Sequence, residues 1–211
     1  MSVPLCSVFS PLFIPYPSRK CNNRRFSSPA RCAILEQTRQ ERGGFFIQPN
    51  IVFLLADDLG WRDLSCYGST FYETPNLDRL ALQGMRFTDA YAACPVCSPS
   101  RASLLTGKYP ARVGITNWIY GQERGKLLEV PFLDHLPDNE FTLPEALREG
   151  GYQTWHVGKW HLGGAELVTR HGFDVNVGGC HWGHPAHGYF APFQNPVIDD
   201  SDIPAGTYLD T

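Results

Sequence analysis

Three short segments of the sequence bring charged, titratable or nucleophilic side chains within a few residues of one another. Asp57 and Asp58 are adjacent carboxylates, residues 94–101 hold two cysteines and an arginine, and one residue separates Lys159 from His161. Two adjacent carboxylates repel each other unless a positive group joins them, and Ca²⁺ or Mg²⁺ accepts such oxygen ligands. The alternative is that one of the two carboxylates caps the next element of structure.

The cysteine segment has the pattern of a helix start. Cys97 directly precedes Ser98 and Pro99, and Arg101 lies one turn further along. Because the N-terminus of a helix favours negative charge, the segment predicts an anion-binding pocket with a reactive residue at its mouth. Cys94 and Cys97 also form a Cys-x-x-Cys pair, which suits a redox couple or half of a zinc site. No second pair at zinc spacing accompanies it, and a buried structural cysteine is the other alternative.

Lys159 and His161 directly follow a predicted strand. In extended backbone their side chains would face the same side, so a cation and a titratable imidazole would stand together. A solvated loop is the alternative.

The elements that must position these segments alternate between strand and helix. Strands are predicted over 51–56, 86–92 and 152–157, and the unbroken apolar run of the first is typical of a strand buried on both faces. Helices are predicted over 74–84, 98–107 and 142–151, from their caps and apolar spacing. Beyond residue 163 the chain is expected to be loop. The order predicts an α/β sandwich around a mostly parallel sheet, whose strand ends carry all three segments.

The composition is that of a globular chain with many turns. Of 211 residues, 43% are hydrophobic, 18% are charged, 20 are glycine and 17 are proline. These values argue against a mostly disordered chain and against a helical bundle. The net charge of −3 leaves no electrostatic footprint for nucleic acid, and no apolar run reaches the roughly 18 residues of a transmembrane helix. The odd number of cysteines, seven, argues against a disulfide scaffold.

Residues 1–48 differ from the rest of the chain. Up to residue 31 there are five basic residues and no acidic one, and the apolar run over 3–14 is interrupted by Pro4 and Pro11. That run makes a poor secretory signal, whereas an organelle transit peptide is compatible in composition. We expect 1–48 to be a disordered tail or a spurious N-terminal extension, and 49–211 to form the functional domain.

Taken together, the segments resemble the type I sulfatases of the alkaline phosphatase superfamily. Residues 97–107, CSPSRASLLTG, are similar to the family signature Cys-x-Pro-Ser-Arg with its Leu-Thr-Gly ending, and residues 151–161 resemble the second signature. Residues 50–58 and 74–78 match in the same order. The resemblance covers 49–211 and is nearest to arylsulfatase-like and N-acetylgalactosamine-6-sulfatase-like members. It implies an alkaline-phosphatase-like sandwich, of which this chain would be the N-terminal portion, truncated at the C-terminal side.

The resemblance also implies a role for each candidate residue. Cys97 would be converted to formylglycine, whose hydrate is the nucleophile and faces the metal. Asp57 and Asp58 would bind one Ca²⁺. Arg101 would hold the formylglycine and its metal environment, Lys159 would contact the sulfate and the formylglycine, and His161 would contact the hydrated aldehyde. The remaining metal ligands, with a further Lys and His, come from a later part of the family's domain.

The implied activity is hydrolysis of a sulfate monoester, of a sulfated glycan or an aryl sulfate. A thiol would form a sulfated product with no easy release, whereas one hydroxyl of a geminal diol can attack sulfur and the other can lose its proton and expel sulfate. Ser98, Pro99 and Arg101 would form the recognition motif for a formylglycine-generating enzyme, and an extracytoplasmic or lysosome-like compartment is expected. The alternatives are a phosphoesterase or phosphonate hydrolase of the same superfamily, and an inactive fragment.

One further segment, residues 180–187, carries three histidines at a spacing of three: His181, His184 and His187. Gly183 and Pro185 oppose a regular helix that would align them, which disfavours a zinc site. A substrate-facing loop is expected instead.

Overall fold

A computed structural model of the chain describes residues 48–121, 126 and 130–209. The described residues fall into two compact units, one of 56–61 and 89–209 and the other of 48–55 and 62–88. Residues 1–47 lie outside the described residues, so the expectation for 1–48 stays a prediction.

The described elements are short. In chain order they are a 3₁₀ turn at Ser65–Tyr67, α1 (Pro75–Gln83), α2 (Cys97–Thr106), α3 (Pro110–Val113), α4 (Leu143–Glu149), β1 (Trp155–Val157), α5 (Ala165–Arg170) and β2 (Val175–Val177). The 3₁₀ turn and α1 belong to the smaller unit, and all later elements belong to the larger one. No helix in the described part of the chain has the length and apolar character needed to cross a membrane.

A small parallel sheet leads the chain toward Lys159 and His161. β1 pairs with β2 in the register Trp155 to Val175 and Val157 to Val177. The connection between the two strands contains α5, which packs on β2, so the unit is a strand–helix–strand crossover. Just before the strands, the Thr154 N–H donates to a side-chain oxygen of Asp174 at 2.9 Å, which fixes the register.

The core of the larger unit surrounds the segment that follows β1. Its buried side chains are Ala102, Val113, Ile115, Ile119, Leu136, Trp160, Leu162, Leu167 and Val168. Trp160 and Leu162 are almost completely buried on either side of His161. Close packing of these two neighbours restricts where the imidazole can lie.

The smaller unit is held together by polar side chains around the start of α1. Thr74 precedes the helix as its N-cap residue but makes no side-chain capping bond. Its hydroxyl instead accepts a hydrogen bond from the Ser65 N–H at 2.9 Å, and Asp78 accepts one from the Cys66 N–H at 2.8 Å. These bonds join the 3₁₀ turn to the first turn of the helix.

Two of the predicted strands are wrong. No strand is assigned over 51–56 or over 86–92. In the first of these segments Ile51, Val52 and Leu54 are at least half exposed, although their run predicted burial on both faces. An apolar run expresses a preference for burial, but a strand forms only where a neighbour completes its hydrogen-bond ladder. Among the described residues, the one pairing between named strands is that of β1 with β2.

The helix predictions are confirmed within one or two residues, whereas the expectation of loop beyond 163 is wrong. α2 starts at Cys97, one residue earlier than predicted, and the strand predicted over 152–157 is reduced to its last three residues. α5 and β2 both lie beyond residue 163. They are too short, at six and three residues, to produce a readable hydrophobic period.

Helices and a parallel pair agree with the predicted α/β class, and the complete sandwich stays a prediction.

Candidate functional site

The N-terminus of α2 presents Cys97 at the first helical position. Val96, the N-cap residue, supplies no capping side chain. The Ser100 hydroxyl donates to two backbone carbonyls of the preceding turn, those of Cys94 at 2.7 Å and Val96 at 2.8 Å. Ser100 therefore ties down the turn that enters the helix, and Cys97 leaves this turn half-buried beside the free N–H groups of the helix start.

His161 faces Cys97. Its Nδ1 lies 3.2 Å from the Cys97 Sγ, and the residue is buried, with only 3% of its surface exposed. The predicted extended backbone is wrong here, because His161 has a left-handed φ of 56°. The backbone N–H of His161 donates to the Cys180 carbonyl at 3.1 Å, which helps to hold this uncommon conformation.

The second ring nitrogen determines which tautomer His161 adopts. Nε2 lies 3.0 Å from the Ile119 carbonyl oxygen. Since a carbonyl can only accept, Nε2 carries the hydrogen and Nδ1 is the acceptor toward Cys97. Burial lowers the pKa of His161, the charges of Lys159 and Arg101 act in the same direction, and the Ile119 hydrogen bond opposes them. The imidazole is therefore neutral and can accept a proton from residue 97.

Two cations converge on one carboxylate next to this pair. Arg101 Nη2 lies 3.2 Å from the Asp57 Oδ2, and Lys159 Nζ forms an ion pair with the same oxygen. Arg101 Nη1 also donates to the Lys159 carbonyl at 2.5 Å. The structure thus brings Asp57, Arg101 and Lys159 together although they are separated by up to 102 positions. The strands predicted to lead to Asp57 and to Cys97 are absent, so only Lys159 follows a strand as the strand-end argument required.

Burial and charge act in opposite directions on the pKa values of this cluster. Burial alone would raise the pKa of Asp57, but the Lys159 hydrogen bond and the charges of Arg101 and Lys159 outweigh it and hold that pKa below its usual range. Burial lowers the pKa of Arg101, and Asp57 partly offsets this. A guanidinium stays protonated at neutral pH, and the charge of Asp58 acts on Arg101 as well, so two carboxylates stand beside the two cations. Nε of Arg101 is buried and has no hydrogen-bond partner in the described part of the chain. This Nε–H is a donor that the oxygen of an anion can accept from.

The metal prediction has the right kind of ligand but too few of them. Asp57 and Asp58 are carboxylates, which Ca²⁺ prefers, yet Ca²⁺ takes six to eight oxygen ligands. The described residues contain no group of three or more His, Cys, Asp or Glu side chains that could hold a metal. Asp57 is paired with two cations, and Asp58 has a left-handed φ of 56°. By themselves, the two carboxylates are too few to complete a calcium site.

The other sequence motifs form no metal or redox centre here. Cys94 and Cys97 are both free thiols. In segment 180–187 the rings of His181 and His187 lie 6.1 Å and 5.4 Å from that of Trp182, so the segment folds into an aromatic cluster. Gly183 of that segment touches the site, since a Cβ added there would lie 2.5 Å from Cε1 of His161.

Sequence reasoning did not find the backbone groups that orient His161. The Ile119 carbonyl is 42 positions away from His161. The N–H of the same Ile119 donates to the Ser98 hydroxyl at 3.0 Å. The position of a backbone carbonyl leaves no trace in residue type or spacing. The sequence assigns Ser98 only to a helix start and a recognition motif, and Gly183 only to the interruption of a helix.

A nucleophilic side chain, a neutral imidazole that accepts from it and two adjacent cations define a site for attack on an anionic ester. The family model described as Sulfatase matches residues 49–188. The chain belongs to the sulfatase family of hydrolases. The resemblance predicted from its motifs is therefore confirmed at the level of the family.

Two curated relatives agree with this placement, and one solved structure is similar in sequence over part of the chain. N-acetylgalactosamine-6-sulfatase of Sus scrofa is 49% identical over 141 residues, which are 64% of this chain and 26% of that protein. Arylsulfatase G of Mus musculus is 47% identical over 133 residues, 62% of this chain and 24% of that protein. The solved crystal structure of Ps i-CgsB is 38% identical, with a TM-score of 0.47, over 56% of this chain and 25% of that chain. The chain spans about a quarter of the length of the curated relatives it matches.

Proposed function

We propose that this chain carries the nucleophile-bearing part of a sulfuric ester hydrolase that cleaves sulfate monoesters. The observation that carries the proposal is the distance of 3.2 Å between Cys97 Sγ and the acceptor nitrogen of His161, at a site with two cations. A sulfate monoester is an anion, so a hydrolase for it needs a nucleophile, a proton acceptor and positive charge in one place.

Arg101 and Lys159 bind the sulfate in this proposal. Asp57 holds both cations beside residue 97 before substrate arrives, so only a small rearrangement is needed to bind it. The unpartnered Nε–H of Arg101 is a further donor for a sulfate oxygen.

His161 takes the proton of residue 97. The sulfur of the unmodified cysteine occupies the position that the modified side chain would take, so the acceptor nitrogen is already directed at it. Formylglycine formed from Cys97 would supply a geminal diol as the nucleophile. The Ile119 carbonyl keeps Nε2 protonated, which reserves Nδ1 for this proton transfer.

Asp57 and Asp58 would contribute two of the ligands of one Ca²⁺. The bound cation would add positive charge beside the sulfate oxygens. Support for this assignment comes from the donor chemistry of the two carboxylates and from the family match, and the remaining ligands would come from outside the described residues.

The substrate class follows from the relatives and from the aromatic loop. One relative is named for N-acetylgalactosamine 6-sulfate chemistry and another for aryl sulfates. Residues 180–187 place aromatic rings next to His161 through Gly183, and such rings pack against the flat face of a sugar or an aryl group. A sulfated glycan or an aryl sulfate is therefore the proposed substrate, a formylglycine-generating enzyme is the proposed partner, and an extracytoplasmic or lysosome-like compartment is the proposed location.

The test is hydrolysis after co-expression with a formylglycine-generating enzyme. Tryptic peptide 87–101 contains both Cys94 and Cys97, and conversion of Cys97 should lower its mass by about 18 Da with the change located at residue 97. The purified chain is then assayed with 4-methylumbelliferyl sulfate and 4-methylumbelliferyl phosphate, with and without Ca²⁺. The control variant is Cys97→Ala.

Sulfate release that requires Cys97 supports the proposal. Faster turnover of the phosphate ester would favour a phosphoesterase of the same superfamily. No turnover of either ester by chain with converted Cys97 would mean that this chain by itself is not a hydrolase.

A further inference from the structure

The turn over residues 118–121 is hydrogen-bonded on one side to Ser98 of α2 and on the other side to His161. Its closing bond runs from the Gly121 N–H to the Trp118 carbonyl at 3.0 Å. Tyr120, at the third position, has a φ of 66°, and Ile119 is not among the residues with positive φ. This combination of signs is that of a type II turn, in which the third position favours glycine or asparagine.

Tyr120 therefore holds an uncommon backbone conformation for a bulky side chain. A type I turn would return its φ to negative values and keep the closing bond. It would also turn the central peptide over, because types I and II differ mainly in the direction of that peptide. The central peptide contains the Ile119 carbonyl, so the change would take this carbonyl away from Nε2 of His161.

Two bonds hold the turn in the form seen here. The Ser98 hydroxyl accepts from the Ile119 N–H at 3.0 Å, and the Ile119 carbonyl accepts from Nε2 of His161 at 3.0 Å. Ser98 and Ile119 are both completely buried. If the hydroxyl were absent, the buried Ile119 N–H would lose its acceptor. This N–H lies in the peptide before the central one, so its loss would release the whole turn, and the released turn could then relieve the positive φ of Tyr120 by turning its central peptide over.

We infer that Ser98 is a positioning residue: its hydroxyl anchors the 118–121 turn, whose Ile119 carbonyl fixes the tautomer of His161. The path runs from Ser98 on α2 through the N–H and the carbonyl of Ile119, which belong to two consecutive peptide units, to Nε2, and from Nδ1 back to Cys97, the residue beside Ser98. The nucleophile and the group that orients its proton acceptor thus sit on consecutive residues of one helix. The catalytic meaning of this arrangement rests on the proposed function, but the tautomer of His161 does not.

The test measures that tautomer directly in the unmodified 211-residue chain. Long-range ¹H–¹⁵N NMR spectra of the imidazole distinguish protonation at Nδ1 from protonation at Nε2, and the His161→Gln spectrum assigns the signals. The parent chain should show the Nε2–H tautomer. Ser98→Ala should move the tautomer ratio toward Nδ1–H by about tenfold, the change expected when one buried hydrogen bond is lost. Ser98→Thr keeps the hydroxyl and should restore the parent spectrum.

Matched variants separate this role from a general effect on the helix. Ser103 lies on the same helix, and its buried hydroxyl has no hydrogen-bond partner in the described part of the chain, so Ser103→Ala should leave the tautomer unchanged. Tyr120 is 63% exposed, so substitutions there should fold. Tyr120→Gly relieves the positive φ and should keep the parent tautomer, whereas the β-branched side chain of Tyr120→Val should shift it.

Circular dichroism identifies the variants that fold. If Ser98→Ala does not fold, Ser98→Cys replaces it, because sulfur keeps the volume and is a weaker acceptor. An unchanged tautomer ratio in the folded Ser98 variant, or identical spectra for Tyr120→Gly and Tyr120→Val, overturns the inference. Both results would leave the proposed sulfatase activity open, since that activity is measured separately with sulfate esters.

Discussion

At the scale of single residues, Asp57 controls how the positive charge near Cys97 is arranged. It pairs with Arg101, whose side chain is 12% exposed, and with Lys159, whose side chain is 21% exposed. Because Arg101 is also bound to the Lys159 carbonyl, the guanidinium is held at two points and the ammonium at one. Lys159 is therefore the cation that can turn from Asp57 to a substrate with the smaller rearrangement.

This arrangement predicts the effect of removing the lysine. Lys159→Ala should raise KM and lower kcat together, because the ammonium binds the ester in the ground state and in the transition state. The expected cost is about 3 kcal/mol in kcat/KM, similar to the loss of one electrostatic stabiliser elsewhere. The measurement is steady-state kinetics on a sulfate ester with the hydrolytically active form. Arg170→Ala is the control, since it removes an exposed cation paired with exposed Asp138. Kinetics within about twofold of the parent would place Lys159 outside the site.

His161 should behave differently from Lys159. Its contact is with residue 97, not with an anion, so His161→Ala should lower kcat by about 10² to 10⁴ with little change in KM. The same kinetic series supplies both constants. A variant that raises KM and keeps the parent kcat would show that His161 binds substrate instead of moving a proton.

The sequence predicted which residues meet at the site but not how they meet. The residue types and motifs of Asp57, Cys97 and Lys159 were enough to propose that they meet, although the strands expected to lead to Asp57 and Cys97 do not form. It could not supply the left-handed backbone of His161 or the carbonyl of Ile119, because both depend on packing between distant segments. Local spacing carries information about neighbours along the chain, and these contacts are 42 and 64 positions apart.

At the scale of elements, Thr142 caps the start of α4 and also bonds to a distant segment. Thr142 and Glu145 form a capping box, as their spacing indicates. The Thr142 hydroxyl also donates to the His171 carbonyl at 2.7 Å, and Thr142 is 1% exposed. The cap therefore fastens the start of α4 to the end of α5.

Removal of this hydroxyl should destabilise the fold. Thr142→Ala should lower the free energy of unfolding by about 2 kcal/mol, since it removes a helix cap and leaves a buried carbonyl without its donor. Urea unfolding monitored by circular dichroism measures the change. Thr142→Ser should recover most of the loss. Thr169→Ala, at an exposed hydroxyl bonded within its own helix, should stay within about 0.5 kcal/mol of the parent. Equal effects of Thr142→Ala and Thr169→Ala would contradict the double role.

Helices and strands differed in how well they could be predicted. Thr142, with Pro144 at the second position of α4, and Gly107, in left-handed conformation after α2, mark helix ends through bonds between close neighbours. Strands require a partner far along the chain, and the run 51–56 contains no information about that partner. This is why three helices were found within one or two residues while two of three strands were not.

At the scale of the whole molecule, the half-buried His156 should make stability depend on pH. Burial lowers the pKa of His156 to about 4, and the charge of Arg101 acts in the same direction. The neutral ring packs against Trp160 and Phe173, at centroid distances of 5.6 Å and 5.2 Å. The unfolded chain, with an ordinary pKa near 6.5, therefore takes up a proton first as the pH falls.

This order of protonation determines whether stability rises or falls with pH. The His156 contribution is fully present above about pH 6.5 and is lost as the pH falls toward 4, by at most about 3 kcal/mol. Urea unfolding at several pH values should show a shallower dependence in His156→Gln than in the parent over this window. His135→Gln, which removes an exposed imidazole, serves as the control. Parallel pH curves for the parent and His156→Gln would contradict the buried neutral state.

The apolar segment 51–54 should control how the chain associates with itself. Ile51 is 50% exposed, Val52 is 57% exposed and Leu54 is 70% exposed, in a run without charge or proline. Runs with this composition pair edge to edge when they are exposed, so the described chain should associate increasingly as its concentration rises. Leu54→Lys should reduce this association, because a buried strand pair cannot accommodate an unpaired ammonium without a desolvation cost. Light scattering across a concentration series measures the effect.

Leu82→Lys is the matched control, since Leu82 is 88% exposed but lies on a helix. If both lysine variants reduce scattering equally, general hydrophobicity and net charge explain the association, and segment 51–54 has no special role in it.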